Sequence, residues 1–419
     1  MKQQIDWAGR LGSLHGRVVR AAVRVAREQQ VSLYLVGGTV RDMLLGKQPK
    51  DLDLMIEGDP RRFARKAAAR LNARWHFEPR FLTANVLVDD QIVDLARARR
   101  ETYAHPGALP RVFPATAEQD LSRRDFSVNA MAVSLAGPGR GLLLDPCGGE
   151  RDVGRRVLRV LHDRSFSDDP TRILRGIRLA SRLGLSFEPR TRRLAIEAVQ
   201  SGAFERVSAD RIRQEVLLLL EEPMPAEALA LGKKIGLIRA LLPGLAIGKS
   251  LSGALARART YAHILAPEER RNVTLLCLLA FSADPSESAR RLGLSGGALQ
   301  AAGAMAGFRG SPAGRLKGAR PSVVVRILDA LPSQAVLALA CAAGSEQARR
   351  QMLRYLRKWR FIKQKISGEE LLRLGFVQGP ALGAALRAAR DALLDGKART
   401  RAQQLRVAIN AVAAWGKNG

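Results

Sequence analysis

Two short motifs stand close together near the start of the chain and could do chemistry as a pair. The run Leu33-Tyr34-Leu35-Val36-Gly37-Gly38-Thr39-Val40-Arg41-Asp42 is followed by Asp51-Leu52-Asp53-Leu54. A strand that ends in two glycines and opens a helix leaves backbone N–H groups unpaired at a positive dipole end, which suits a triphosphate, and Arg41 adds a fixed charge. Residues i and i+2 of a strand share a face, so Asp51 and Asp53 can converge on one or two Mg²⁺ ions. Paired metal sites use such carboxylates to activate an attacking hydroxyl and to hold a leaving pyrophosphate. Taken singly, Gly37-Gly38 also reads as a tight turn and Asp51-Leu52-Asp53 as a solvated strand edge. Their order, phosphate loop and then metal carboxylates, favours the catalytic reading.

Other charged residues join these. Asp94 reads either as a third acid beside the pair or as an ordinary hairpin residue. Arg123 and Arg124 are either phosphate-neutralising guanidiniums or a solvated loop pair. Asp169, Arg172, Arg175 and Arg178 recur every three residues and share one helix face, with Ile173, Leu174, Ile177 and Leu185 on the apolar side. Like charges at that spacing repel, so the stripe is better explained by an anionic ligand. Asp169 also reads as an N-cap, with Pro170 as the first helical residue. Two further motifs are set aside. His162-Asp163 lacks partner histidines at metal-binding spacing, and Gly137-Pro138-Gly139-Arg140-Gly141 is a turn.

The elements that must carry these residues follow from periodicity. Gly12 to Glu28 is an amphipathic helix, Ser32 to Val36 a strand, and Thr39 onward a helix capped at Gly46. Leu52 to Ile56 is extended and Arg61 to Leu71 helical. Ala84 to Val88 and Gln91 to Leu95 make a hairpin across Asp89-Asp90, and Phe126 to Val133 returns to apolar residues. Arg97 to Thr116, with its Pro106-Gly107 and Pro110, reads as a flexible loop. From Asp169 the period is helical, broken by Gly and Pro, and after about Pro223 Ala, Leu and Arg dominate. The front is therefore a small sheet flanked by helices and the rear all helical.

Composition bounds the function. The 419 residues carry 69 Lys+Arg against 39 Asp+Glu, a net charge of +30, and 47% are hydrophobic. Such a chain buries real cores, which excludes a disordered tail protein, and presents a basic surface to a polyanion. Arg354, Arg357, Lys358, Arg360 and Lys363 form a dense run suited to sequence-independent phosphate contact. Three scattered cysteines and five scattered histidines exclude a disulfide framework and a Cys/His zinc site, so a metal must be a hard cation on carboxylates. Apolar runs such as Val273 to Phe281 fall short of the ~18 residues of a membrane span, and the charged start is not a signal peptide, which suggests a soluble cytoplasmic protein with no membrane partner.

With these motifs in view, the chain resembles the class II tRNA nucleotidyltransferases, the CCA-adding enzymes and their bacterial poly(A) polymerase relatives. Leu35 to Asp42 and Asp51-Leu52-Asp53 are similar to that family's GG and DxD elements. Arg123-Arg124-Asp125-Phe126-Ser127-Val128-Asn129-Ala130 resembles its RRDF motif. Asp168-Asp169-Pro170-Thr171-Arg172 resembles its EDxxR helix, with Asp168 where Glu is usual. Arg206 to Glu215 and Ile366 to Leu372 resemble later segments. The resemblance implies an α+β nucleotidyltransferase head with a small mixed sheet (1–146), then an all-α neck (147–222), body (223–310) and tail (311–419). It implies nucleotide contacts from Gly37, Gly38, Arg41, Arg123, Arg124, Asp125, Asn129, Asp169, Arg172, Arg175 and Arg178, with Asp169 and Arg172 reading CTP or ATP. Catalysis falls to Asp51, Asp53 and Asp94, with Mg²⁺ on Asp51 and Asp53. The implied partner is the acceptor–TΨC arm of tRNA along the helical rear, and the loop near 97–116 is implied to switch C addition to A addition. CCA, CC-only and A-only addition all remain open. The alternatives are a poly(A) polymerase, whose basic strand motif is lacking at Arg80 to Val86, and a non-catalytic basic RNA-binding protein.

Overall fold

The computed structural model describes residues 4–102, 111–308 and 314–415, which form two compact units, Met1–Leu237 and Ile238–Gly419. In the first, helix α1 (Ser13–Gln29) leads into strand β1 (Ser32–Val36), helix α2 (Gly38–Leu44), β2 (Leu52–Glu57), α3 (Pro60–Leu71), β3 (Arg74–Glu78), β4 (Thr83–Val88) and β5 (Gln91–Arg97). These ranges lie within a residue or two of the periodicity reading. The exception is β3, whose Arg-Trp-His-Phe-Glu sequence alternates polar and aromatic residues but which the periodicity reading leaves unassigned; it pairs antiparallel with β4. The tight β4–β5 turn puts Asp89 and Asp90 both at positive φ (47° and 62°), the geometry of a two-residue hairpin turn.

The segment expected as a flexible loop is instead a hairpin at its base. Strand β6 (Arg99–Thr102) pairs antiparallel with β7 (Arg111–Pro114), and residues 103–110 lie outside the described residues. Helix α4 (Ala117–Ser122) follows with a Thr116/Gln119 capping box. Then come β8 (Ala132–Ala136) and β9 (Leu143–Leu144), joined by the expected glycine turn with Gly137, Gly139 and Gly141 at positive φ. The sheet has seven strands in the order β3-β4-β5-β2-β1-β8-β9, antiparallel except for the β2–β5 pair. One face packs on α1 and α3, where Val18, Ala22, Phe63 and Ala67 meet Leu54, Val86, Val93 and Leu95. On the other face α4 seals a second cluster of Tyr34, Val36, Met55, Ala117 and Leu121.

The rest of this unit is helical: α5 (Gly149–Gly154), α6 (Ser165–Asp168), α7 (Thr171–Leu183), α8 (Pro189–Gln200), α9 (Ala209–Glu221) and α10 (Pro225–Lys234), with α7 packed on α9 and α10. The expectation of an all-α neck needs one correction, because β10 (Val157–Leu158) pairs parallel with β11 (Ser186–Phe187). Two residues of pairing give no readable period. Gly176 fixes how closely α7 approaches the sheet domain, since a Cβ there would stand 2.7 Å from the Phe126 ring.

The second unit is built of helices. Val273–Leu279 is buried at every residue but Thr274, and Glu346–Arg357 is amphipathic, with Met352, Leu353, Tyr355 and Leu356 inward. A further core joins Ile366, Leu371, Ala385, Ala389 and Ala408. Among the described residues no single helix is long and apolar enough to cross a membrane.

Candidate active site

The carboxylates are placed by strand pairing. Strand β2 begins at Leu52, so Asp51 stands exposed just before it and Asp53 sits inside, half-buried, in direct register with Asp94 on β5. The hydroxyl of Thr39, buried on α2, donates to the Asp51 carbonyl (3.1 Å) and accepts the Asp53 N–H (2.9 Å). That one side chain ties the glycine turn to the acids. Burial and the facing Asp94 push the Asp53 carboxyl up to about 6, Asp51 adding and Arg124 and Arg41 opposing. Asp94, though its side chain reaches solvent, is raised as well, by partial desolvation and by Asp51. Acids that raise one another are a site short of positive charge.

Among the described residues no three His, Cys, Asp or Glu side chains cluster tightly enough to hold a metal unaided. Two carboxylates completed by substrate phosphate oxygens are how Mg²⁺ is commonly held, so the donor set fits a hard cation that arrives with a nucleotide.

Gly37 takes φ 62°, ψ −127°, a conformation for which a side chain is costly, and a Cβ there would stand 2.8 Å from Nη1 of Arg124. Its N–H is not free as the sequence reading expects, because it donates to the Met131 carbonyl (3.2 Å). Arg41 also differs from expectation. It is buried, with Nη1 on Asn129 Oδ1 (2.6 Å) and Nε on Asp42 (2.9 Å), so it braces the turn from beneath.

Arg123 and Arg124 are neither solvated nor free. Asp120, buried on α4, takes Nη2 of Arg123 (2.5 Å) and Nε of Arg124 (3.1 Å), and Glu101 pairs with Arg123. The sequence does hold the signal, since Asp120 lies three and four residues before the two arginines. Asp125 accepts the Asn129 amide (3.1 Å) and Nη1 of Arg175 (3.4 Å). Burial would raise its carboxyl, but Arg175 and the Asn129 bond hold it below the usual range.

The arginine stripe of α7 needs a different account from mutual repulsion. Arg175 meets Asp125 and Glu215, while Arg178 meets Glu215 and Glu222, so carboxylates on α9 and beside it neutralise the row. Arg172 is buried, with Nη1 on Ser165 Oγ (2.9 Å) and Nη2 on the Arg123 carbonyl (3.2 Å). Asp169 stands one residue before the N-cap, which is Pro170 rather than Asp169, and its Oδ1 accepts the Thr171 N–H (3.1 Å), the Thr171 hydroxyl (2.6 Å) and Nη2 of Arg211 (2.9 Å). All of these bonds fall on Oδ1, which leaves Oδ2 for a ligand.

These residues line a cavity of about 560 Å³ with two ends. At one end stand Asp125, Asp169, Arg172 and Arg175; at the other Thr83, Asn85, Asp94 and Ala96; Gly37, Gly38, Asp53, Arg123, Arg124 and Asn129 lie between. A smaller cavity of about 270 Å³ shares Asp53, Asn129 and Arg175 and holds Arg41, Asp51 and Arg178, with Lys50 and Arg182. Every head and neck residue singled out from sequence therefore lines one of two adjoining cavities. Those in the second unit form a surface of their own: Arg354, Arg357, Lys358 and Lys363 are exposed. Arg360 departs from the expected phosphate contact, being half-buried, bonded to Ser333 Oγ and stacked over Phe361 at 4.6 Å.

Comparison with known proteins points the same way. Residues 33–159 match the poly A polymerase head domain. An A-adding tRNA nucleotidyltransferase of Geobacter sulfurreducens is 32% identical over 94% of this chain and 46% of its own length. The chain spans about half the length of the curated relatives it matches. A solved tRNA-processing enzyme is 31% identical over 84% of this chain and 99% of its own, with a TM-score of 0.60. The chain belongs to the tRNA nucleotidyltransferase and poly(A) polymerase family. A CCA-adding enzyme of Thermotoga maritima complexed with tRNA superposes over 98% of this chain and 99% of its own, at a TM-score of 0.73 and 26% identity.

Proposed function

We propose that this protein is a template-independent nucleotidyltransferase that adds C, A or both from CTP and ATP to the 3′ end of tRNA in the cytoplasm. The observation that carries the reading is the two-ended cavity with Asp53 between its ends and Asp94 facing it from the sheet end. At the helical end Asp169 Oδ2 offers an acceptor, and Arg172 keeps most of its five donors, a pairing edge for cytosine or adenine. Arg123, Arg124 and Arg175 set positive charge along the same wall for the triphosphate. The RNA hydroxyl attacks the α-phosphorus, a new O–P bond forms, and the bond to the β-phosphate oxygen breaks to release pyrophosphate. Mg²⁺ held by Asp51 and Asp53 with substrate phosphates would supply hydroxyl activation and charge neutralisation. Asp94, across from Asp53, keeps the acids directed at the reacting atoms.

The test supplies tRNAs ending at the discriminator base, at C and at CC, with CTP and ATP, and resolves products to single nucleotides. Completion of all three to CCA is expected. Stopping at CC, or extension of the CC-ended tRNA alone, assigns CC-only or A-only addition. Unlimited A tailing on any RNA would replace the reading with poly(A) polymerase, and absence of any transfer would overturn it.

Binding is expected to draw on the basic face of the second unit. Log affinity for tRNA should fall linearly with log salt, each phosphate contact adding roughly 0.7 to 0.9 to the slope. Replacing exposed Arg354, Arg357 and Lys358 with Ala should flatten that slope by about 2 and weaken different tRNAs alike. Arg360→Ala, which breaks an internal bond, should lower thermal stability more than it changes the slope. An unflattened slope in the triple variant places the RNA elsewhere.

A further inference from the structure

One row of paired residues crosses the head sheet. Asp53 on β2 faces Asp94 on β5, Asp94 faces Asn85 on β4, and Asn85 faces His76 on the edge strand β3. Directly paired residues share a sheet face, so the row leads from the acids to the sheet edge. Asn85 Nδ2 donates to Asp94 Oδ1 at 2.7 Å, which links the acid to the strand beyond it.

The two faces of these strands differ sharply. Val86, Val93 and Leu95 lie buried under α1 and α3. On the row's own face, the cluster sealed by α4 covers Tyr34, Val36 and Met55 of β1 and β2. Beyond it His76 and Asp94 are exposed, and Ile92, two residues from Asp94 on the same face, is 58% exposed. Arg74, two residues from His76, is exposed on that face as well, while Glu78 is engaged in the β3–β4 turn through the Arg80 N–H.

The cavity runs onto this open face through Thr83 and Asn85. Displacement at phosphorus sets attacker and leaving group roughly in line. With the base assigned to Asp169 and Arg172 and the triphosphate to Arg123, Arg124 and Arg175, the sheet end is the part of the cavity left for the attacking hydroxyl. We propose that the open face of β3–β5 seats the 3′-terminal nucleotide of the acceptor RNA, with Arg74 and His76 against its sugar-phosphate and Asn85 as a positioning residue for Asp94. The proposal rests on the transferase reading above. The occupant is an RNA strand because a cation and an imidazole lead, with a mixed polar and apolar floor, to acids poised to act on a hydroxyl.

Steady-state kinetics test it, together with photocrosslinking of tRNA that carries 4-thiouridine as its last nucleotide. Arg74→Ala with His76→Ala should raise KM for tRNA about tenfold and leave KM for the nucleotide within about twofold. Asn85→Leu should lower kcat with little change in either KM, and Asn85→Ser, which restores a donor, should recover part of it. Crosslinks should map to the peptide carrying β3 and β4 in the wild-type protein, a readout that needs no turnover. An active wild-type enzyme whose double variant keeps its tRNA KM, or whose crosslinks all map elsewhere, overturns this inference alone. A wild-type protein that transfers no nucleotide overturns it together with the function on which it rests.

Discussion

Asp53→Asn is expected to abolish nucleotide incorporation and, in metal-free protein, to raise thermal stability. The two effects have one cause. Asp53 is half-buried facing Asp94, with Asp51 two residues away, and its carboxyl is pushed up to about 6 from 3.8 by burial and by those acids. A group whose folded pKa lies above its unfolded value binds more protons folded than unfolded in that window. Stability of metal-free protein should therefore fall as pH rises from about 4 to about 6 and stay lowered above it. At about 1.4 kcal/mol per pH unit the cost is bounded near 3 kcal/mol, and solvent screening at this half-buried site leaves about 1–2. Asparagine removes the charge and the cost, so melting curves of the variant should lose this pH slope and lie higher at pH 7. Affinity for tRNA should stay nearly intact, since it draws on arginines and lysines outside the acid pair. Substantial turnover by Asp53→Asn with Mg²⁺ present would sink the catalytic assignment. An unchanged melting temperature would show that the three acids do not repel one another.

Much of the site was legible because its parts are local in sequence. The glycine turn, the acid pair and the β4–β5 hairpin each depend on residues within a few positions of one another, and the structure sets them where periodicity implies. What the sequence could not show is pairing across distance. Strand β3 alternates polar and aromatic residues, but nothing along the chain shows that β4 is its partner. The segment from Arg97 to Thr116 looked unstructured from its proline and glycine content, yet its two ends pair as β6 and β7.

The arginines of α7 illustrate the same limit energetically. Read along the helix, Arg172, Arg175 and Arg178 form an uncompensated stripe, and repulsion between them argues for a ligand. In three dimensions Asp125, 50 residues before Arg175, and Glu215, 40 residues after it, supply the missing charge. Burial would lower the Arg175 pKa, but those carboxylates and Asp169 raise it further. The residues do line the two cavities, but mutual repulsion is not a reason to expect a ligand there. Their charges position one another, and Asp169, Arg172 and Arg175 line the larger cavity together with Arg123 and Arg124.

The same reasoning makes Asp120 the residue whose loss should cost the fold most. It is 1% exposed, and its carboxylate takes the Arg99 N–H (3.1 Å), Nη2 of Arg123 and Nε of Arg124. Arg123 in turn donates to the Arg99 carbonyl (2.7 Å), and its own carbonyl receives Arg172. One buried charge therefore joins the root of the β6–β7 hairpin, the cavity wall and the residue assigned to the nucleotide base. Asp120→Asn preserves shape but leaves two partly buried guanidiniums facing an amide, and removal of one partner from such a set typically costs about 3–5 kcal/mol. Melting temperature should drop accordingly, and KM for the nucleotide should rise as Arg123 and Arg124 lose their anchor. Burial pushes the Asp120 carboxyl up, but Arg124 and Arg123 outweigh it and hold it below the usual range. Its stabilisation is thus complete above pH 4 and lost as pH falls through the lowered value, so wild-type protein should lose stability in acid more steeply than the variant. Adding Arg124→Gln to Asp120→Asn should recover part of the lost stability, because one stranded cation is gone. A single variant as stable as wild type, or a double variant less stable than the single, would show that Asp120 does not hold this wall together.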